Sequence, residues 1–251
     1  MSEEIELKLL KEIEELKKEV AKLKGEAVPV IPTFQYSKIR DIDLRNLIDI
    51  EKKLNKSAFD TWFSFDITID KSILDFLTNL IEKNEGLMFD YNEEDLKMYF
   101  LSPLLNHIDF KLIDKNIRGF FEEKMTYKTD KFIFSGEIDF IISKGLLYSQ
   151  KPYFFIQEFK RSEEYGNPRP QLLAELISAV ELNNYISIKG AYVVGAIWNF
   201  VILERLDRHK YLYYVSQNFD STKIEDLKGI YKNLLFVKEE IIKIVESEVF
   251  T

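Results

Sequence analysis

The sequence predicts an α/β protein whose central part runs in the order helix, three strands, helix, strand. A helical pattern begins after Asn92, and three runs of aromatic and β-branched residues follow it, separated by short turns. A second helical pattern and a further short strand come next. Added helices, a C-terminal hairpin and helix, and an N-terminal heptad helix are predicted around this core.

The composition limits the chemistry that this chain can perform. Of its 251 residues 46% are hydrophobic, which is enough for a large core. It contains no cysteine, so disulfides, cysteine-ligated zinc and a cysteine nucleophile are excluded. His107 and His209 are the only histidines, which disfavours a histidine-rich metal site or a Ser-His-Asp triad. Any catalysis would therefore depend on carboxylates and lysines.

Residues 3–24 have the pattern of an amphipathic helix with a short heptad seam. Glu and Lys fill most positions outside this seam, and Gly25 with the prolines after it ends the helix. Two interpretations are open, because so short a seam is marginal as an isolated coiled coil: it forms a homodimer, or it packs on its own domain. The seam consists of Leu9, Ile13, Leu16, Val20 and Leu23.

Three parts of the chain follow from these patterns. We predict an N-terminal amphipathic or coiled-coil helix over 1–25, a linker with a helical and strand extension over 26–91, and the main domain over 92–251. In the extension, a helix is predicted over 41–54, a strand over 62–69 and a helix over 71–83.

The main domain begins with Asn92 as the N-cap of a helix whose first turn is acidic. The strands that follow are predicted over 119–128, 132–143 and 152–160, then a helix over 170–185 and a strand over 191–197. Alternation further along predicts a hairpin over 201–206 and 210–216, and an apolar stripe predicts a closing helix over 224–245.

Acidic and basic side chains interrupt two of these strands. Asp139 lies in the run GEIDFIIS, and the apolar run YFFIQEFK ends with Glu158, Phe159 and Lys160. Because alternate residues of a strand share a face, Glu158 and Lys160 are expected on the same side of the sheet. Glu-x-Lys also occurs by chance in the charged helical patterns of this chain, but here it closes a strand that would normally be buried.

This arrangement resembles the PD-(D/E)XK nuclease superfamily, in which an Asp on one strand and (Asp/Glu)-x-Lys on the next form the site. The matching residues are Asp139, Glu158 and Lys160. The stretch NEEDLKMYFLSPLLNHI looks like the first core helix of the N-terminal nuclease domain of type I restriction motor subunits, with Glu93 or Glu94 as its acid. Gln171 stands where several branches carry a Gln. The resemblance covers about residues 92–197 and implies a restriction-endonuclease-like core.

The resemblance implies a metal-dependent nuclease, and the residue types suit that chemistry. Mg²⁺, or Mn²⁺ in its place, takes oxygen ligands, which Asp139, Glu158 and the carbonyl of Phe159 would supply, with Glu93 or Glu94 holding a water or a second ion. Lys160 would orient or help to deprotonate the attacking water. Gln171 would hold Lys160 or a phosphate. The alternative is a half-buried ion pair between Asp139 and Lys160 with no metal.

The net charge of the chain bears on whether nucleic acid is its partner. A net charge of −8 disfavours nucleic acid, although a bound cation and a local basic strip would offset it near the cut. Arg161 and Arg169 flank the motif and are the predicted nucleic-acid contacts, and the predicted strands add Lys124, Lys128 and Lys131.

The remaining expectations concern the substrate, the alternative function, the location and the partners. The substrate is expected to be DNA rather than RNA. The alternative function is a catalytically silent nuclease-like module that binds nucleic acid or protein and oligomerises through its N-terminal helix. The charged N-terminus and the lack of a long apolar run predict a cytoplasmic protein without a membrane partner.

Overall fold

The computed structural model describes residues 20, 31–160 and 167–248. Apart from Val20, the predicted heptad helix over 3–24 lies outside these residues, as does Arg161. The described residues form a mixed α/β fold in which a nine-stranded, curled sheet is packed with helices on both faces. None of the described helices combines the length and the apolar character that crossing a bilayer requires.

The strands in chain order are β1 (Thr33–Gln35), β2 (Asp49–Lys52), β3 (Ile117–Lys128), β4 (Ile133–Lys144), β5 (Gln150–Lys160), β6 (Ser187–Val194), β7 (Ile197–Asp207), β8 (Lys210–Val215) and β9 (Phe219–Asp220). The helices are α1 (Asp41–Leu47), α2 (Asp60–Phe63), α3 (Lys71–Asn84), α4 (Glu93–Leu96), α5 (Ser102–Ile108), α6 (Pro168–Asn183) and α7 (Ile224–Glu248). A single π-helical turn, Lys97–Leu101, joins α4 to α5.

The sheet runs in the order β1-β4-β5-β6-β7-β8-β2, with β3 paired to β4 and β9 to β7. Strands β3, β4 and β5 form an antiparallel meander, and β6 lies parallel to β5 after the crossover through α6. The predicted three strands, helix and strand are therefore confirmed in type and order. The C-terminal hairpin and the closing helix are confirmed as well.

Helix α6 lies inside the curl of the sheet and is buried on all sides over most of its length. One side packs on β5 and β6, and the other side meets β3 and the short 3-10 turn Tyr36–Lys38. Gly190 of β6 permits the close approach, because a Cβ there would lie 2.8 Å from the carbonyl oxygen of Ile156 and 3.0 Å from Leu176. A core of apolar residues from α6 and the enclosing strands surrounds this helix.

A second core fills the opposite face of the sheet, between the strands and helices α2 to α5 and α7. Trp62 is buried there and donates its Nε1–H to the carbonyl oxygen of Asn233 at 2.9 Å. Residues of the extension predicted over 26–91 therefore share this core with the main domain. Strands β1 and β2 of the extension also belong to the same sheet as the strands of the main domain.

Two predictions in the extension are wrong. The helix predicted over 41–54 ends at Leu47, and Asp49–Lys52 instead forms β2, which gains backbone hydrogen bonds by pairing parallel with β8. The strand predicted over 62–69 begins as helix α2, and its remaining residues join no strand. The aromatic residues of this run pack into the core instead of alternating between two faces of a strand: Trp62 and Phe65 contact Phe236 of α7, and Phe63 contacts Phe200 and Phe219.

An irregularity crosses β3 and β4 at the level of the predicted site. The pairing passes from Phe121–Phe140 to Glu123–Ile138 without a change of register, but Glu122 and Asp139, which this register places opposite each other, are not paired. Glu122 has a positive φ of 57°, which is uncommon for a residue other than glycine. Phe140 packs in the core on the side of helices α2 to α5, whereas Ile138 packs around α6, so this local distortion exchanges the faces of the strand.

Candidate functional site

The predicted site residues Asp139, Glu158 and Lys160 lie together where β4 and β5 run side by side. Continuing the pairing of Phe140 with Gln157 places Asp139 opposite Glu158. The Asp139 carboxylate accepts the backbone N–H of Phe159 at 2.8 Å, which fixes its orientation. This hydrogen bond holds the Asp139 carboxylate beside the end of β5.

The ammonium group of Lys160 lies among the acids of this site. Its Nζ is 3.4 Å from Glu93 Oε1, 3.6 Å from Glu158 Oε2 and 3.9 Å from Asp139 Oδ2. It also donates a hydrogen bond of 2.9 Å to the carbonyl oxygen of Phe159. Burial lowers the pKa of Lys160, but the charges of Glu158, Asp139 and Glu93 outweigh this and raise it above its ordinary value. Lys160 is therefore held as an ammonium ion.

Glu158 is fully buried, and neither of its carboxyl oxygens has a hydrogen-bond partner among the described residues. Burial raises its pKa well above the ordinary value, and the nearby carboxyl groups of Glu175 and Asp139 raise it further. Lys160 opposes this effect only in part. A buried carboxyl group without hydrogen-bond donors is costly, so this position favours the approach of a positive charge.

Glu175 of α6 is a member of the site that the sequence analysis missed. It is fully buried beside Glu158, and burial raises its pKa to about 8. Gln171, one turn earlier, donates its Nε2–H to Glu175 Oε1 at 3.1 Å, while Glu175 Oε2 has no partner among the described residues. The spacing of four residues would have placed Glu175 on the same helix face as Gln171. Gln171 was predicted to hold Lys160 or a phosphate. The structure shows it bound to Glu175.

The two candidate acids of the first helix have separate partners. Glu93 faces Lys160, whereas Glu94 is more exposed and lies 3.3 Å from the Nζ of Lys97. Lys97 also forms a 2.7 Å ion pair with Glu122, the residue of β3 that has a positive φ. Asn92 caps this helix by accepting the backbone N–H of Asp95, so its first turn is fixed beside the site.

Of the predicted nucleic-acid contacts, the structure describes Arg169 and the three lysines of β3 and the β3–β4 turn. Arg169, in the first turn of α6, forms an ion pair of 2.6 Å with Asp41 of α1. Lys124, Lys128 and Lys131 are exposed on the β3–β4 hairpin, where Lys124 lies across from Glu137. Arg161 lies outside the described residues. The described part of the chain therefore shows a mixed charge distribution around the site.

The residues present can be tested against the divalent cation that the resemblance implies. Glu158 and Glu175 contribute three buried oxygens without hydrogen-bond partners among the described residues, and the Phe159 carbonyl and Asp139 lie beside them. These are hard oxygen donors of the kind that Mg²⁺ and Mn²⁺ bind, so the donor set fits. In the observed conformation, the described ranges contain no group of three or more acidic or histidine side chains that is arranged to hold a metal ion. Lys160 lies within 4 Å of Glu93, Asp139 and Glu158.

No protein-family model matches this chain, and no curated protein matches it significantly in sequence. The residues and geometry of the chain itself are therefore the basis on which its function is inferred.

Proposed function

We propose that this protein is a metal-dependent nuclease that hydrolyses phosphodiester bonds, with DNA as its substrate. The observation that carries the proposal is the convergence of Glu93, Asp139 and Glu158 on the ammonium group of Lys160, all within 4 Å. These residues come from three separate elements. A half-buried cluster of three acids and a lysine is costly to fold, which is typical of a site retained for chemistry.

The surrounding fold supports the PD-(D/E)XK resemblance on which this proposal draws. The acid-bearing helix α4 precedes an antiparallel meander of β3, β4 and β5, and α6 leads to β6, which is parallel to β5. Asp139 lies on the middle strand of that meander, and Glu158 with Lys160 lies on the last. We therefore propose a restriction-endonuclease-like core for this region.

Each residue of the cluster has a proposed role. Asp139, Glu158 and the Phe159 carbonyl would hold Mg²⁺ or Mn²⁺, and Glu175 would add a further oxygen at its buried side. When bound, the ion would stabilise the extra negative charge that develops on the phosphate and make water more acidic. Glu93 is more exposed than Glu158, so water can reach its carboxylate. Lys160, held as an ammonium ion, would orient that water or a phosphate oxygen.

A cleavage assay tests this proposal. Purified protein is incubated with supercoiled plasmid, single-stranded DNA and single-stranded RNA, each with Mg²⁺, Mn²⁺ or EDTA. We expect metal-dependent cleavage of DNA, and we expect Asp139→Ala and Lys160→Ala each to lower it at least about a hundredfold, as the loss of a group that stabilises charge does. Asp114→Ala, which removes an exposed acid paired with Lys115, serves as the control.

Cleavage that persists in both site variants would show that the activity arises elsewhere. Absence of cleavage from the wild type with every metal and substrate would contradict the proposal.

One observation favours a second function, that of a nuclease-like module that binds nucleic acid or protein without cutting. Lys160 pairs with Asp139 and Glu158, as a lysine does in an ion pair with a structural role. Such a module would bind nucleic acid in a salt-sensitive manner with no turnover and no metal requirement. Binding measurements in EDTA at two salt concentrations, run beside the cleavage assay, separate the two functions.

A further inference from the structure

The predicted ligands of the metal ion are also the partners of one lysine. The carboxylates of Asp139, Glu158 and Glu93 lie within 4 Å of Lys160 Nζ, and the Phe159 carbonyl accepts its hydrogen bond. The side chain of Lys160 is only 17% exposed, so the ammonium group is enclosed by these oxygens and has little contact with solvent. An internal cation thus occupies the position that the metal ion would need.

We propose that Lys160 competes with the divalent cation for this site and holds it closed until the metal displaces the ammonium group. This inference depends on the proposed function, because it concerns the same metal site. Two positive charges sharing these oxygens would repel each other strongly in a half-buried position. Metal binding therefore requires the lysine side chain to move outward. The apparent metal affinity is the intrinsic affinity multiplied by the fraction of molecules in which Lys160 has left the site.

The local structure allows this movement. Lys160 is the last residue of β5, so its long aliphatic side chain lies at the end of the strand. Glu158, by contrast, is fully buried and cannot follow it. Glu93 is partly exposed and is the nearest of the three acids, so it can keep contact with the displaced ammonium group. In this account Lys160 compensates the carboxylates before the metal enters, and afterwards it is free to contact substrate.

The test measures Mn²⁺ affinity, because that readout does not depend on cleavage. Lys160→Met and Lys160→Gln are compared with the wild type by calorimetry or by the electron paramagnetic resonance of free Mn²⁺. Both variants are expected to bind Mn²⁺ about tenfold or more tightly, because the competing charge is removed. Mn²⁺ should also raise their melting temperatures more than that of the wild type, which shows that they are folded.

Lys189→Met is the matched control. Lys189 has nearly the same exposed fraction, 18%, and also pairs with an acid, Glu240. It lies on β6 beside Phe155, toward the opposite end of the strand pair from Lys160. Loss of this charge is expected to change Mn²⁺ affinity less than about threefold, because a distant charge is largely screened.

Equal or weaker Mn²⁺ binding by the Lys160 variants would overturn the competition, as would tightening of the same size in Lys189→Met. No Mn²⁺ binding by any variant would overturn it too. The same measurements distinguish failure of the competition from failure of the nuclease proposal. If wild-type protein cleaves DNA and needs Asp139 while Lys160→Met binds no tighter, only the competition is wrong. If Lys160→Met binds tightly and no form cleaves, the competition stands and the nuclease proposal falls.

Discussion

Glu175 contributes a buried carboxyl group to the site, beside the equally buried Glu158. Burial raises the pKa of Glu175 by more than the hydrogen bond from Gln171 and the charge of Lys160 lower it. Glu175 was not predicted because the helix around it is apolar, and a single acid in such a run resembles an exposed position. The burial of α6 on all sides, which brings Glu175 to the site, depends on tertiary packing that helical periodicity does not show.

Replacement of Glu175 by Gln is expected to stabilise the metal-free protein. Because the pKa of Glu175 is raised from 4.5 to about 8, the folded protein keeps a proton that the unfolded chain has lost, so stability falls as the pH rises between these values. Gln has nearly the same shape and no such pH dependence. We expect Glu175→Gln to gain about 1–2 kcal/mol over wild type at pH 8 and little at pH 4.5.

Urea unfolding at the two pH values measures this effect, and Glu181→Gln on the same helix is the control. Glu181 accepts a 2.7 Å hydrogen bond from Tyr211 and pairs with Arg205, so its replacement should lower stability by about 1 kcal/mol. Equal loss of stability in both variants at pH 8 would contradict the account of Glu175.

At the scale of elements, the strands and helices of the core could be predicted because their periodicity is strong. Strand β2 could not, since its four residues carry no alternation of their own and are extended only because β8 offers a free edge. The distortion of β3 and β4 at Glu122 and Asp139 was not predicted either. It exchanges the faces of β4 between Ile138, which packs around α6, and Phe140, which packs in the other core, and the sequence on either side gives no signal of it.

The N-terminal heptad helix over 3–24 is predicted from the sequence pattern. We propose that the protein forms a homodimer through this helix. Light scattering coupled to gel filtration should give a dimer mass for the full chain and a monomer mass for a chain without residues 1–25. Leu16→Lys, which places a charge in the apolar seam, should also give a monomer, whereas Lys18→Ser outside the seam should not. A monomer mass for the full chain would rule this dimer out.

At the scale of the whole molecule, the fold brings acids from separate elements into one cluster around Lys160 in an acidic protein. With a net charge of −8, long-range attraction cannot be what brings DNA to this site. Arg169 is engaged by Asp41, so the basic contacts predicted beside the motif are fewer than the sequence suggested. In the proposed function a bound divalent cation would add positive charge beside the phosphate, so the metal site is the central claim of that proposal.

A crystal structure with Mn²⁺, located by its anomalous scattering, tests that claim most directly. We predict a peak within about 2.5 Å of oxygens from both Asp139 and Glu158, with the Lys160 ammonium group moved away from them. A saturating Mn²⁺ concentration that leaves no peak between these carboxylates, with Lys160 still beside them, would contradict the claim and identify the cluster as a structural ion pair.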